Sequence, residues 1–227
     1  MKRLLTFLSG IIISLCFISS IAFASTEKII LIDPGHGGVD GGAVSKNGTI
    51  EKGINLDISL KLKELLEGSG YKVYMTRDSD AGLYTEGKSI KEKKREDLAK
   101  RVKLKKSTGA EVFISIHQNM FPEAKYSGTQ VWYSPESSDS KQFASIIQNF
   151  AKEKLSQNTK REPKDAKTQF RVLRSSPNCA AVIVECGFLS NPQECELLES
   201  KEYQEKFAFM LKESIDEYYN YKVRIQG

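Results

Sequence analysis

The sequence predicts a single α/β domain, with a mostly parallel, twisted sheet of about six strands flanked by helices on both faces. Three observations predict it. Short apolar runs that stop at Pro, Gly or a polar residue alternate with longer segments of helical apolar spacing. The links between them are short, so strand, helix and strand read as crossover units with parallel pairing. The chain has 227 residues with 40% hydrophobic side chains, enough for one proper core.

Residues 28–33 read as the first strand, followed by a loop over 34–49 that is rich in Gly and Asn. A helix is expected over 51–67, with Ile54, Ile58, Leu62 and Leu65 as its core stripe. Thr49 is its expected N-cap, which places Glu51 in the first turn against the positive helix end. Gly68-Ser69-Gly70 stops the helix, and 71–76 is the second strand. Residues 78–88 are polar and read as a loop. The charge-dense stretch 91–106 reads as a helix with a solvated face, or as a surface for an anionic polymer or membrane.

The third strand is 111–116, and after a link over 121–127 the fourth is 128–134. A helix over 140–155 carries Phe143, Ile146, Ile147 and Phe150 on one side. A polar surface loop spans 156–169, and the last two strands are 170–173 and 180–185. Pro192 suits the first position of a helix over 192–200, and 203–219 is a final amphipathic helix with Phe207, Met210, Leu211 and Ile215 inward.

The formal charge is +5, of which Lys2 and Arg3 supply two, so the remainder is only mildly basic and gives no reason to expect nucleic acid. Lys2-Arg3, the apolar run 4–18 and Ala22-Phe23-Ala24 form an export signal, with cutting expected after Ala24. The rival reading is an uncleaved anchor, because 4–26 carries no charge and could span a bilayer. Either way 1–24 is a signal peptide or N-terminal anchor and 25–227 the functional domain. Cys16 is no lipoprotein cysteine, since Leu15 occupies the position where a small residue is expected. Cys179, Cys186 and Cys195 remain, an odd number for an exported protein. They could be zinc ligands, one disulfide plus a free thiol, or buried small residues; buried unpaired thiols are the preferred reading.

The chain has two histidines, His36 and His117. Each sits just past an apolar strand-like run, and Glu51 opens a helix between them. Two His and one Glu are a common ligand set for catalytic zinc, with a fourth position left for water. Blander readings are a satisfied strand-end histidine and an ordinary first-turn acid. Phosphate binding fails on pattern: Asp40 stands where G-x-G-x-x-G needs its third glycine, and no G-K-[ST] occurs. Glu185 closes the apolar run 180–184, and in open α/β sheets the site lies beyond the carboxyl ends of the strands. Its blander role is an acid that caps the next turn. Asn55, Asn119 and Asn191 recur beside these residues and read as groups that steady ligands or pin loops. Arg77 could pair with a substrate carboxylate or a nearby acid.

Five pieces occur in order: Asp33-Pro34-Gly35-His36-Gly37-Gly38; Glu51-Lys52-x-x-Asn55-Leu56; Thr76-Arg77; Ser115-Ile116-His117-x-Asn119; and Val184-Glu185-x-Gly187-Phe188-x-Ser190-Asn191. Over about 28–221 the chain resembles the zinc-dependent N-acetylmuramoyl-L-alanine amidases. The resemblance implies Zn(2+) held by His36, Glu51 and His117, with Glu185 beside the metal to move the proton that amide cleavage requires. It implies peptidoglycan as substrate, cut between the lactyl group of N-acetylmuramic acid and L-alanine. The wording around Glu185 is most like the germination-specific amidases of spore formers, which act on cortex peptidoglycan on the way to muramic-δ-lactam. It implies action outside the cytoplasmic membrane, in the cell wall or spore cortex. Some of that group depend on an activating partner protein. Arg101 with Leu98 fits the family's Arg-containing helix, although the stretch from Arg77 to Leu98 is longer and richer in lysine. The 121–127 link is too short for the helical insert that blocks the site in some relatives, and no appended wall-binding module is expected. Competing readings are a zinc peptidase of related architecture and a non-catalytic wall adaptor.

Overall fold

A computed structural model describes residues 27–155, 159–175 and 177–226. The expected signal or anchor, 1–24, lies outside them. Six strands form one sheet: β1 Ile29–Pro34, β2 Lys72–Met75, β3 Val112–Asn119, β4 Gln130–Tyr133, β5 Lys164–Asp165 and β6 Ala180–Phe188. The helices are α1 Glu51–Gly68, α2 Ile90–Thr108, α3 Ser138–Lys154, α4 Pro192–Glu199 and α5 Lys201–Gln226.

The spatial order is β2-β1-β3-β6-β4-β5. Every neighbouring pair is parallel except β4 with β6. The register is carried by alternation. Ile30, Ile32, Val112, Ile114, Ile116, Val182 and Val184 pack on one face with Ile58 and Leu62 of α1, Phe143 of α3 and Phe207 of α5. Leu31, Phe113, Ala181 and Ile183 point to the other face, against Val172 and Leu173. Each fully buried aliphatic or aromatic side chain contributes about 1.5–3 kcal/mol relative to exposure. A one-residue slip would turn every one of them around, which is why the strands hold this register.

The second face is only partly covered, by α2 and a short 3₁₀ helix, Arg171–Leu173. That segment, 170–173, was expected to be a strand. It is apolar because Val172 and Leu173 are buried and Phe170 lies 5.3 Å from Trp132, but its own turn closes with Leu173 N–H donating to Phe170 O. The outermost strand is instead the polar β5, inside the expected loop 156–169, where Trp132 pairs with Lys164. The helix after the first loop also starts differently. Ile50 is its N-cap and makes no side-chain cap bond. Thr49 bonds Asn47 and Glu199, while the Glu51 and Lys52 N–H groups are taken by the Ala43 and Gly41 carbonyls of the loop.

The lysine-rich helix α2 is mostly exposed as expected, yet Arg101 and Lys105 are buried. Cys179, Cys186 and Cys195 are free and buried. Among the described residues no helix is long and apolar enough to cross a membrane.

Candidate metal centre

The site forms where β1 and β3 end. β1 runs into a loop whose first side chain of chemical use, His36, sits at φ 63°. A non-glycine residue held there is strained and must be held by its surroundings. Two buried guanidiniums do this. Arg77 donates to the carbonyls of Pro34 (3.0 Å), Gly35 (2.9 Å) and His36 (2.8 Å), and also to those of Lys52 and Ser79. Arg101 donates to the carbonyls of Pro34 (2.9 Å) and His36 (2.7 Å). Hence the hydrogen bonds of Arg77 go to backbone carbonyls that shape the loop, and of its two readings the pairing with a nearby acid is not seen among the described residues.

Arg101 is anchored in turn on Asp33, 2.6 Å away, with both side chains almost fully buried. Burial opposes ionisation of Asp33, but Arg101, Ser115 and Thr76 outweigh it and hold the carboxyl below its ordinary range. Two glycines leave room for the donors. A Cβ on Gly35 would collide with the His117 ring, and one on Gly42 with the Glu51 carboxylate.

These supports bring His36, Glu51 and His117 together. His36 Nε2 lies 3.2 Å from Glu51 Oε2, and His117 Nδ1 lies 3.0 Å from Glu51 Oε1. One donor atom from each lies within 4.8 Å of the others. The imidazole rings meet edge-on at 76°, with centroids 4.9 Å apart. Glu51 enters from the first turn of α1, where its carboxylate accepts hydrogen bonds from the N–H groups of Ala43 (2.8 Å) and Gln118 (3.0 Å) and from Asn55 Nδ2 (3.2 Å). Burial disfavours its charge, but His117 and His36 prevail and keep it ionised. On His36, burial works against protonation, while Asp40 and Glu51 push the imidazole up to about 9.

The three residues fit a zinc ion by donor chemistry and by convergence: two imidazoles and a carboxylate, with a coordination position to spare. The second nitrogen of His36 is also held, by Asp40 Oδ2 at 3.0 Å, and Asp40 is steadied by Lys94 at 2.8 Å. A carboxylate behind a ligating histidine fixes its tautomer and raises its basicity. Sequence reasoning passed over Asp40. The available signal was an acid four positions beyond a lone loop histidine.

Glu185 is in β6 directly opposite His117 in β3. Successive strand residues alternate, so both side chains rise from the partly covered face. Its Oε2 is buried with no hydrogen-bond partner among the described residues. Burial pushes the carboxyl up to about 7, against the pull of His117. Of the three asparagines, Asn55 alone bonds a member of this cluster among the described residues, and it also donates to Gly35 O. Asn119 ends β3, where its carbonyl accepts from Leu189 N–H. Asn191 caps α4, accepting from the N–H groups of Gln193 and Glu194, and donates to Tyr126 O.

A partly exposed His-Glu-His cluster around a buried glutamate, at the carboxyl end of a mostly parallel sheet, with an acid beside it whose buried oxygen has no hydrogen-bond partner among the described residues, defines a hydrolase-like centre. The chain belongs to the N-acetylmuramoyl-L-alanine amidase family, whose model matches residues 30–217. Among curated proteins, it is 37% identical to the germination-specific N-acetylmuramoyl-L-alanine amidase of Bacillus subtilis (strain 168), over 96% of this chain and 95% of that one. Among solved structures, it is similar to the CwlD amidase from Clostridioides difficile, determined in complex with the GerS lipoprotein. The TM-score is 0.82 and the identity 41%, over 86% of this chain and 99% of that one. The catalytic domain of CwlV, an N-acetylmuramoyl-L-alanine amidase from Bacillus (Paenibacillus) polymyxa var. colistinus, matches with a TM-score of 0.73 and 31% identity. That match spans 85% of this chain and 98% of that one.

Proposed function

We propose that this chain hydrolyses the amide between the lactyl group of N-acetylmuramic acid and the L-alanine of peptidoglycan stem peptides, with zinc held by His36, Glu51 and His117. The observation that carries the reading is the convergence of those three donors beside Glu185. When bound, zinc supplies a Lewis acid for the carbonyl and brings the pKa of its water to about 7.

The protein's own residues do the rest. Glu185 moves the proton: it takes one from the attacking water and gives it to the leaving nitrogen. A carboxyl raised to about 7 is suited to both halves of that transfer near neutral pH. Asp40 orients His36, Asn55 and the Gln118 N–H orient Glu51, and Arg77 with Arg101 hold the loop that carries His36. Asn119 and Asn191 shape the loops around the opening.

The spore-cortex role, with a product on the way to muramic-δ-lactam, is part of the same proposal, supported by the likeness to the germination-specific amidase of Bacillus subtilis. So is an activating partner protein, since the Clostridioides difficile relative was solved with a lipoprotein. Residues 1–24 serve as export signal or anchor, and 25–227 act in the wall or cortex. The test is zinc-loaded protein on intact peptidoglycan, with mass spectrometry of the fragments. Free stem peptides beginning at L-alanine are expected. Cuts between amino acids would instead make it a peptidase, and intact stems with and without the partner would overturn the reading.

A further inference from the structure

Two clefts flank the His117–Glu185 pair on the partly covered face of the sheet. They share no lining residue, and the Trp132–Phe170 ring contact stands between them. The cleft on the α2 side, about 290 Å³, is balanced in charge: Asp33, Asp40 and Asp97 stand against Lys94, Arg101 and Arg171. The cleft on the β4 side, about 190 Å³, is not. It has cations in Arg161 and Lys164, no acid, and walls of Phe121, Tyr126, Trp132 and Phe188. It opens into a wider hollow of about 520 Å³ that adds Lys125 and Lys160. The acid there, Glu162, is bound to Lys152 at 2.7 Å.

The β4-side cleft begins one strand away from the reacting groups. Gln130 pairs with Glu185, and Asn119 with Phe188, across neighbouring strands, a step of about 4.8 Å. Its cations are set by the aromatic walls. The Arg161 guanidinium lies 4.7 Å from the Phe188 ring centroid and Lys164 Nζ lies 5.2 Å from that of Trp132. Arg161 feels Glu194, but that carboxylate already accepts from the Gly128 and Phe188 N–H groups. Among the described residues neither Arg161 nor Lys164 is in an ion pair. Buried Gln130 keeps its Oε1 without a partner there, while its amide nitrogen is spent on Val131 O and Glu162 O.

We propose that this cleft is a subsite for the acidic part of the peptide stem, with Arg161 and Lys164 binding a free carboxylate just beyond the L-alanine that leaves. The assignment rests on the amidase reading. Aromatic walls suit an extended peptide laid along them, and the unpaired cations then select stems that are charged over stems whose carboxyl is amidated. The balanced cleft across the site is left for the uncharged glycan side.

Two synthetic muramoyl peptides test it, one with a free carboxyl on the residue after L-alanine and one with that carboxyl amidated. Zinc-loaded protein should favour the free acid by roughly tenfold in kcat/KM, an advantage that shrinks with added salt. The double variant Arg161→Gln with Lys164→Gln should lose that preference through KM, while its kcat on the amidated probe stays near that of the unaltered chain. Arg161→Lys with Lys164→Arg should keep the preference. Equal treatment of both probes by the unaltered chain, or equal weakening of both in the double variant, overturns the subsite; the latter is what cations serving an anionic wall polymer would give. If neither probe is cleaved with or without the partner, the amidase reading is what fails. The same preference measured by calorimetric binding then decides the subsite by itself.

Discussion

Glu185→Gln separates proton transfer from metal binding, because the amide keeps the shape and removes the titrating oxygen. Its effect on stability can be worked from the structure. Burial raises the carboxyl from 4.5 to about 7. At roughly 1.36 kcal/mol per pKa unit, keeping it ionised costs the folded chain about 3 kcal/mol. The sign follows from linkage: a carboxyl whose folded pKa is raised stabilises the fold when protonated, and that contribution is lost as pH rises through about 7. In metal-free protein, the variant should therefore unfold at higher urea than the unaltered chain at pH 8. The gap should approach zero near pH 4. The buried Oε2 has no hydrogen-bond partner to lose among the described residues, so the substitution breaks no bond at that atom. In zinc-loaded protein, metal affinity should be unchanged and turnover should fall by about 10² to 10⁴, equivalent to roughly 3 to 5 kcal/mol of barrier. Loss of zinc in the variant would make Glu185 a ligand. Near-normal turnover would return it to the role of an acid that ends a strand.

His117→Ala should abolish stoichiometric zinc, measured by elemental analysis of the purified variant; full occupancy would remove His117 from the ligand set. Asp40→Asn should fold normally yet bind zinc about 10- to 100-fold more weakly by competition with a chelating dye, since it removes the charge behind His36. Arg101→Met should cost about 3–5 kcal/mol in urea unfolding, because it leaves Asp33 buried and unpaired. For the same pair, stability is present above the ordinary carboxylate range and drains away as pH falls below it, because the folded pKa of Asp33 is depressed; a chain equally stable at pH 3 and pH 7 would contradict this. N-terminal sequencing of protein from its host should begin at Ser25, and a start at Met1 or Lys2 would mean an anchor.

Apolar runs and ligand-type residues were legible in the sequence, because each carries its signal locally. Ile29 to Ile32 and Ala180 to Val184 read as strands without context, and two histidines in 227 residues are easily found. What could not be read depends on contacts across the chain. The 170–173 run is apolar enough for a strand, but whether it pairs or coils depends on the room left beside α2 and Trp132. Lys164-Asp165 has no strand character of its own and extends only because β4 offers it a free edge. Arg77 illustrates the same limit at the site. A motif arginine invites pairing with an acid, yet it is spent on five carbonyls that the loop geometry happens to converge.

The centre uses two arginines because the loop it holds is both strained and rich in buried carbonyls. Holding His36 at positive φ costs about 1–3 kcal/mol. Burying the loop carbonyls without partners would cost more, since each unmet buried acceptor carries a desolvation penalty of about 1–3 kcal/mol. Arg77 and Arg101 meet the carbonyls of Pro34 and His36 together, with charge-assisted bonds. Arg101 is itself kept charged in a buried place by Asp33 and Asp97. The chain of dependence thus runs from Asp33 at the end of β1, through Arg101, to the backbone of His36. The strand that begins the core also sets the position of His36. A neutral replacement at Asp33 should consequently weaken zinc binding as well as the fold, although Asp33 itself bonds none of the three donors among the described residues.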